Sequence, residues 1–251
     1  MTTRVRMFVG SAALFAGLSF LAGATAAPPA LPAETYKAAA TADLAQLKEH
    51  LKTCEDASQV KRYAPTAKSL ALMIAMYGEA TGDAALRDGA VKAAEAIAKK
   101  DFKGAATVVN GLTFKGGGTA LASGGLAGKA KYGLEDAMAP FRGSRVGGLN
   151  LEKDIRDLSN KKAQIDPAAV QVLAARTAVL AEYTFAFPNE KAKINKANQG
   201  KWEKWSTDMI EISKKLDAEA AKGKGASTNE ILKMLKGLDA KCSDCHNEFR
   251  D

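Results

Sequence analysis

Histidine, cysteine and aromatic residues are scarce in this chain, and each shortage removes a class of protein. Its 251 residues include two histidines, three cysteines and two tryptophans, and aromatics make up only 6%. The cysteine count is odd, and Cys242 and Cys245 lie too close together to staple a fold of this size, which excludes a disulfide scaffold. Long apolar runs are missing after about residue 22, so no later segment has the length to span a bilayer. Alternating runs of β-branched and polar residues are missing as well, which removes the signature of half-buried strands. Lysine and arginine number 36 against 28 acids, yet aromatics are not interleaved with them in a nucleic-acid-binding pattern. Lys191, Lys193, Lys196, Lys201 and Lys204 read instead as solvated helix faces. The charge suits an acidic protein partner, by steering encounter, and not a nucleic acid. No paired acid and base stands out, so catalytic turnover is not expected.

The chain opens with Arg4 and Arg6, an apolar stretch from Met7 to about Ala22, and the small-x-small triplet Ala24-Thr25-Ala26. This is the layout of a secretory signal peptide over residues 1–26. An uncleaved membrane anchor is the competing reading, but Gly10, Gly17 and Ser19 break a run that is already short. The mature protein is expected to be exported and without a membrane span. Losing two arginines and no acids lowers its net charge from +8 to +6.

Alanine, leucine, lysine and glutamate dominate the rest, and the patterning is all-α. Leu44, Leu47, Leu51 and Cys54 recur at helical spacing. Pro65 suits the opening turn of a second helix with Leu70, Met73, Ile74 and Tyr77 on one side. A third helix is expected from about Asp83 to Lys100, and a shorter fourth from about Phe102 to Leu112. These make a helical N-terminal region over residues 27–114. Glycines 116–118 and 124–125 then mark a Gly-rich linker or surface loop over residues 115–148.

Four helical patterns follow in residues 149–251. Asn150 suits a cap, with Leu151, Ile155 and Leu158 inward. Asp166-Pro167 opens a helix that runs to about Phe187 before Pro188. Trp202, Trp205, Met209, Ile212 and Leu216 form the seam of a four-helix bundle. Ser227-Thr228-Asn229-Glu230 reads as a capping box for the last helix. The halves also resemble each other: Leu47–Leu51 precedes Leu151–Ile155 by 104 residues, and the stretch around Leu70 to Thr81 resembles Val172 to Thr184. The first half would then be a repeat that lacks the motif ending the second.

That motif is Cys242-Ser243-Asp244-Cys245-His246. Covalent haem needs two thiols for the two vinyl groups and an imidazole for the iron. The i, i+3, i+4 spacing puts all three on one helix face, with Leu235, Leu238 and Phe249 extending it. Chance gives this pentapeptide a probability on the order of 10⁻⁴ in such a composition. Three other readings stay open. A redox dithiol would need a strand before it. A zinc site could take His50 and Cys54 together with Cys242 and Cys245. A disulfide between Cys242 and Cys245 would close only a tiny loop.

A helical bundle ending in Cys242-x-x-Cys245-His246-x-x-Phe249-Arg250 resembles the class II c-type cytochromes, the cytochrome c′ family. The resemblance is specific over about Ser227 to Arg250, architectural over residues 150–222, and faint before that. It implies a C-terminal four-helix bundle of cytochrome c′ type, one haem c with iron on the last helix, and a periplasmic role in single-electron transfer or gas binding. Its redox partner would be a protein, and homodimers are common for such bundles. His246 would be the proximal ligand, and Arg250 or Arg142 would pair with a propionate, with Arg145 a weaker choice. In the family the sixth position faces the bundle's first helix. Here residues 151–161 include neither methionine nor histidine, only Ile155 or Leu158, which favours an open iron and a gas-binding module. Met138, just upstream, is the alternative distal ligand and would favour an electron carrier. Met209 and Met234 read as seam residues, and His50 as exposed or capping.

Overall fold

The computed structural model describes residues 30–116, 133–161 and 164–249. The expected signal peptide, the centre of the Gly-rich segment and Arg250 lie outside them. The described chain is all-helical: α1 (Ala33–Thr53), α2 (Ala57–Ala80), α3 (Ala84–Ala98), α4 (Phe102–Asn110), α5 (Leu134–Met138), α6 (Leu151–Ser159), α7 (Pro167–Ala186), α8 (Glu190–Lys193), α9 (Lys196–Ala220) and α10 (Thr228–Phe249). Among the described residues no helix is long and apolar enough to cross a membrane.

Acidic and amide side chains start most of these helices by accepting a first-turn N–H that has no partner inside the helix. Asp56, Asp83, Asp101, Asp166, Asn189 and Asn195 all do so. Two expected starts differ. Asp56 opens α2 nine residues before Pro65, which therefore sits inside the helix. Asn150 precedes α6 with φ +60°, and its Oδ1 accepts from the Ser144 N–H at 2.9 Å instead of capping the helix. The capping box of α10 is half formed. Ser227 Oγ accepts from the Glu230 N–H, but the Ser227 N–H donates to Glu219 Oε1 at 2.7 Å.

In the first half α1 packs on α2, α2 on α3, α3 on α4, and α4 returns to α1. In the second, α7 packs on α9, α9 on α10, and α10 on α6, while α1 and α2 cover another flank of α7. Helix α7 is thus central. Its apolar residues run nearly all round the helix, the pattern of an element enclosed by others, and Val170, Ala174, Ala175, Ala178, Leu180 and Ala181 are fully buried. One apolar core continues through both halves, from Leu47, Leu70 and Leu86 to Leu216, Leu235 and Leu238.

Polar contacts tie the halves together as well. Asp43 of α1, with no exposed surface, pairs with Arg176 of α7 and accepts from the Tyr77 hydroxyl of α2 at 2.8 Å. Asp217 of α9 accepts from Thr35 of α1 at 3.0 Å and from Gln171 of α7 at 3.1 Å.

The expected linker contains ordered structure in its second half. Residues 133–150 form a strap: α5, two single 3₁₀ turns (Ala139–Phe141 and Ser144–Val146), and a tight return. The Leu149 N–H donates to Pro140 O at 2.9 Å and the Asn150 N–H to Arg142 O at 2.9 Å. Two glycines permit this return. Gly147 has φ +87°, and a Cβ on Gly148 would lie 1.9 Å from the Arg142 carbonyl oxygen.

Candidate functional site

Helix α10 serves two environments along its length. Ile231, Leu235, Leu238 and Cys242 enter the main core, while Cys245 and Phe249 reach a separate cluster with Ala192, Trp202, Trp205 and Leu134. Between the two lies a cavity of about 350 Å³, in the size range of cofactor sites. Cys242, Cys245, His246 and Phe249 form its wall on α10, and Met138 and Arg142 of the strap also line it.

The remaining wall is largely apolar. Trp202 and Trp205 of α9 meet the Phe249 ring edge-on, with centroids 5.3 and 5.2 Å apart. These are favourable T-shaped contacts. The Trp202 indole donates to Thr184 O at 2.6 Å, which fixes the ring against α7. Asn189 caps α8 through Oδ1 and donates through Nδ2 to Phe249 O at 3.0 Å, so the last turn of α10 is held in place. Ion pairs hold its flanks: Lys241 to Asp208 at 2.9 Å on α9, Lys201 to Glu248, and Arg156 of α6 to Asp239 at 3.8 Å. Polar groups gather at the edge, where Arg142 reaches Glu135 at 3.4 Å and Glu152 pairs with Arg156 at 2.6 Å.

All three cysteines are free thiols. Burial, with the Asp239 and Glu152 carboxylates adding to it, pushes the Cys242 thiol up to about 12. Burial pushes Cys245 up to about 11. Both stay protonated at neutral pH, which is opposite to the low-pKa thiolate of a redox dithiol. Among the described residues, no three His, Cys, Asp or Glu side chains gather closely enough to hold a metal ion. The zinc arrangement is therefore not assembled. His50 lies elsewhere, with its ring 5.3 Å from Tyr63 and Gln46 at 3.5 Å.

The residues present fit a covalently held haem. Two thiols and an imidazole on one helix face open into a single cavity, its walls are aromatic and aliphatic, and a cation stands at its edge. The distal wall differs from expectation. Leu151 and Ile155 are turned into the main core, and neither Ile155 nor Leu158 lines the cavity. Only Glu152 of α6 does, one position round the helix from Leu151. Met138 and Phe141 of the strap line the cavity instead, and Leu134 does so from within the Phe249 cluster. Leu235 and Leu238 pack in the main core and do not line the cavity, and Arg145 does not line it either.

Trp202, Trp205 and Met209 were legible as a seam but not as a cavity wall. Their spacing reports a shared helix face without saying what that face meets. No known protein-family model, curated protein or solved structure matches the chain.

Proposed function

We propose that this chain is an exported c-type cytochrome that carries one haem c on Cys242 and Cys245, with His246 as proximal iron ligand, and transfers single electrons. The observation that carries this reading is the shared cavity. It gathers the Cys-x-x-Cys-His face of α10 with Met138 and Arg142, which lie a hundred residues away in the sequence. The bound haem would supply a one-electron iron couple whose potential follows axial ligation and burial. Trp202, Trp205 and Phe249 exclude water from the α10 side, and Arg142 offers a positive charge to a carboxylate at the edge. We read α6, α7, α9 and α10 as a bundle of cytochrome c′ type, and α1 to α4 as its haem-less relative, because three of the four pairings of the first set recur in the second, while the α1–α2 pairing has no comparable counterpart between α6 and α7.

Met138 favours the electron carrier over a five-coordinate module that binds a small gas. Met209 also lines the cavity, from α9, which packs directly on α10. Helix α5 packs on α7 and α2, which suits a ligand arriving from the far side.

The test is a visible spectrum of protein matured in a host competent for haem attachment. A Soret band that survives acid–acetone extraction is expected, with sharp α and β bands on reduction. A colourless protein would end the proposal, and broad high-spin bands would transfer it to the gas-binding reading.

A further inference from the structure

The first half of the chain has no haem motif, yet it supplies the footing for the far wall of the cavity. Three contacts join α2 to the strap. Lys68 pairs with Asp136 at 2.7 Å, two residues before Met138, and each side chain is 30% exposed. The buried Ser69 hydroxyl donates to Gly147 O at 3.0 Å. Gly147 itself lies so close to Pro65 that a Cβ there would come within 2.3 Å of the proline ring. Met138 lies between these anchors, and the bonds from Leu149 and Asn150 back to Pro140 and Arg142 keep the intervening chain in one shape.

We infer that α2 is a positioning element for the sixth iron ligand: Lys68 and Ser69, acting through Asp136 and Gly147, fix the strap that presents Met138 to the cavity. This rests on the haem reading above. A thioether is a weak, neutral ligand, so its bond to iron competes with the freedom of the segment that bears it. A strap held at both ends loses little entropy when the ligand binds, and a released one loses more. The first half thereby acts on the iron without touching it.

The test uses the full, haem-loaded chain and three readouts. Extraction-resistant Soret absorbance reports attachment. The weak far-red charge-transfer band of the ferric protein reports methionine ligation. Hydrogen–deuterium exchange over residues 133–150 reports the strap. Met138→Ala should abolish the far-red band, and Met209→Ala should keep it. Lys68→Met and Ser69→Ala should each lower the ratio of ligated to open iron about fivefold and speed exchange in the strap. Lys68→Arg should preserve both.

If extraction removes the haem from the parent protein, the haem reading falls and this inference falls with it. Three results would overturn the inference alone, with haem still attached: a parent protein without the far-red band, a band lost in Met209→Ala and kept in Met138→Ala, or a band at full strength in both Lys68→Met and Ser69→Ala.

Discussion

Replacing Asp43 by alanine should destabilise the whole molecule, because that carboxylate joins three helices drawn from both halves. Asp43 has no exposed surface and meets Arg176, whose side chain is only 14% exposed, and the Tyr77 hydroxyl at 2.8 Å. Removing it leaves a buried guanidinium without its counter-charge and a buried hydroxyl without its acceptor. Breaking a buried pair from one side costs about 3–5 kcal/mol. Set against a total stability of about 5–15 kcal/mol, this is a large fraction. For a chain of this size the midpoint of thermal unfolding should fall by roughly 6–20 °C. Far-UV circular dichroism and Soret absorbance, followed in one melt of the haem-loaded protein, should shift together, since one core runs through both halves. The double variant Asp43→Leu/Arg176→Met should recover most of the loss by replacing the pair with apolar packing. A shift below about 2 °C in Asp43→Ala, or a Soret transition that stays put while the helical signal moves, would refute the argument that the halves are locked together here.

Glu182 is held up at about 7, mainly by burial and also by Glu79, while the Ala30 N–H and Lys214 partly offset them. Because the folded state keeps its proton longer than the unfolded one, stability should fall as pH rises from about 4.5 to about 7, by about 3 kcal/mol. Glu182→Gln should flatten that slope in urea titrations taken at several pH values. Trp202→Ala removes a ring that is 5% exposed and packs on Phe249, so a loss of about 3–5 kcal/mol is expected by chemical denaturation. Trp202→Phe should lose less, about 1 kcal/mol, because the Thr184 carbonyl loses the indole N–H but keeps the Phe187 N–H at 3.2 Å. Cys245→Ala should leave haem attached by one bond, seen as a red-shifted α band of the pyridine haemochrome, and Cys242→Ala/Cys245→Ala should leave none after extraction.

The α10 wall of the candidate site was legible because it is local. A pentapeptide on one helix sets its own geometry through the i, i+3, i+4 rule, and no distant contact is needed to bring Cys242, Cys245 and His246 to one face. The eight expected helices were legible for the same reason, except at Asn150, which does not cap α6, and at Pro65, where a cap at Asp56 outweighed the usual preference of proline for a first turn; the short α5 and α8 were not legible. The distal side was not local. Ile155 and Leu158 were assigned to it from their place in the expected bundle. Whether a helix turns Leu151 and Ile155 or Glu152 towards a cavity depends on the turn before it, and here Asn150 at φ +60° sets that turn. The strap was hidden because a linker reading based on the glycines at 116–118 and 124–125 extends over every glycine up to residue 148. The structure uses two of them to bring backbone against Pro65 and against Arg142.

A comparison of α4 with α10 shows how one packing plan could leave room for a cofactor in only one half. Helix α4 has 9 residues and is closed onto α1 by Ala105 and Val109. Helix α10 has 22 residues, so at 1.5 Å per residue it is longer by about 20 Å. Its first turns fill the core with Ile231, Leu235 and Leu238, the work that α4 does in the first half. The added turns have no bundle partner equivalent to that core. They are met by Trp202 and Trp205 on one side and, across the cavity, by a strap fastened to the other half of the molecule. An extension of one helix supplies the Cys-x-x-Cys-His face, and a strap anchored on the neighbouring half lines the same cavity. The cavity is thus lined by the strap and the second half alone, and variants in α2 are expected to reach it only through the strap that α2 anchors.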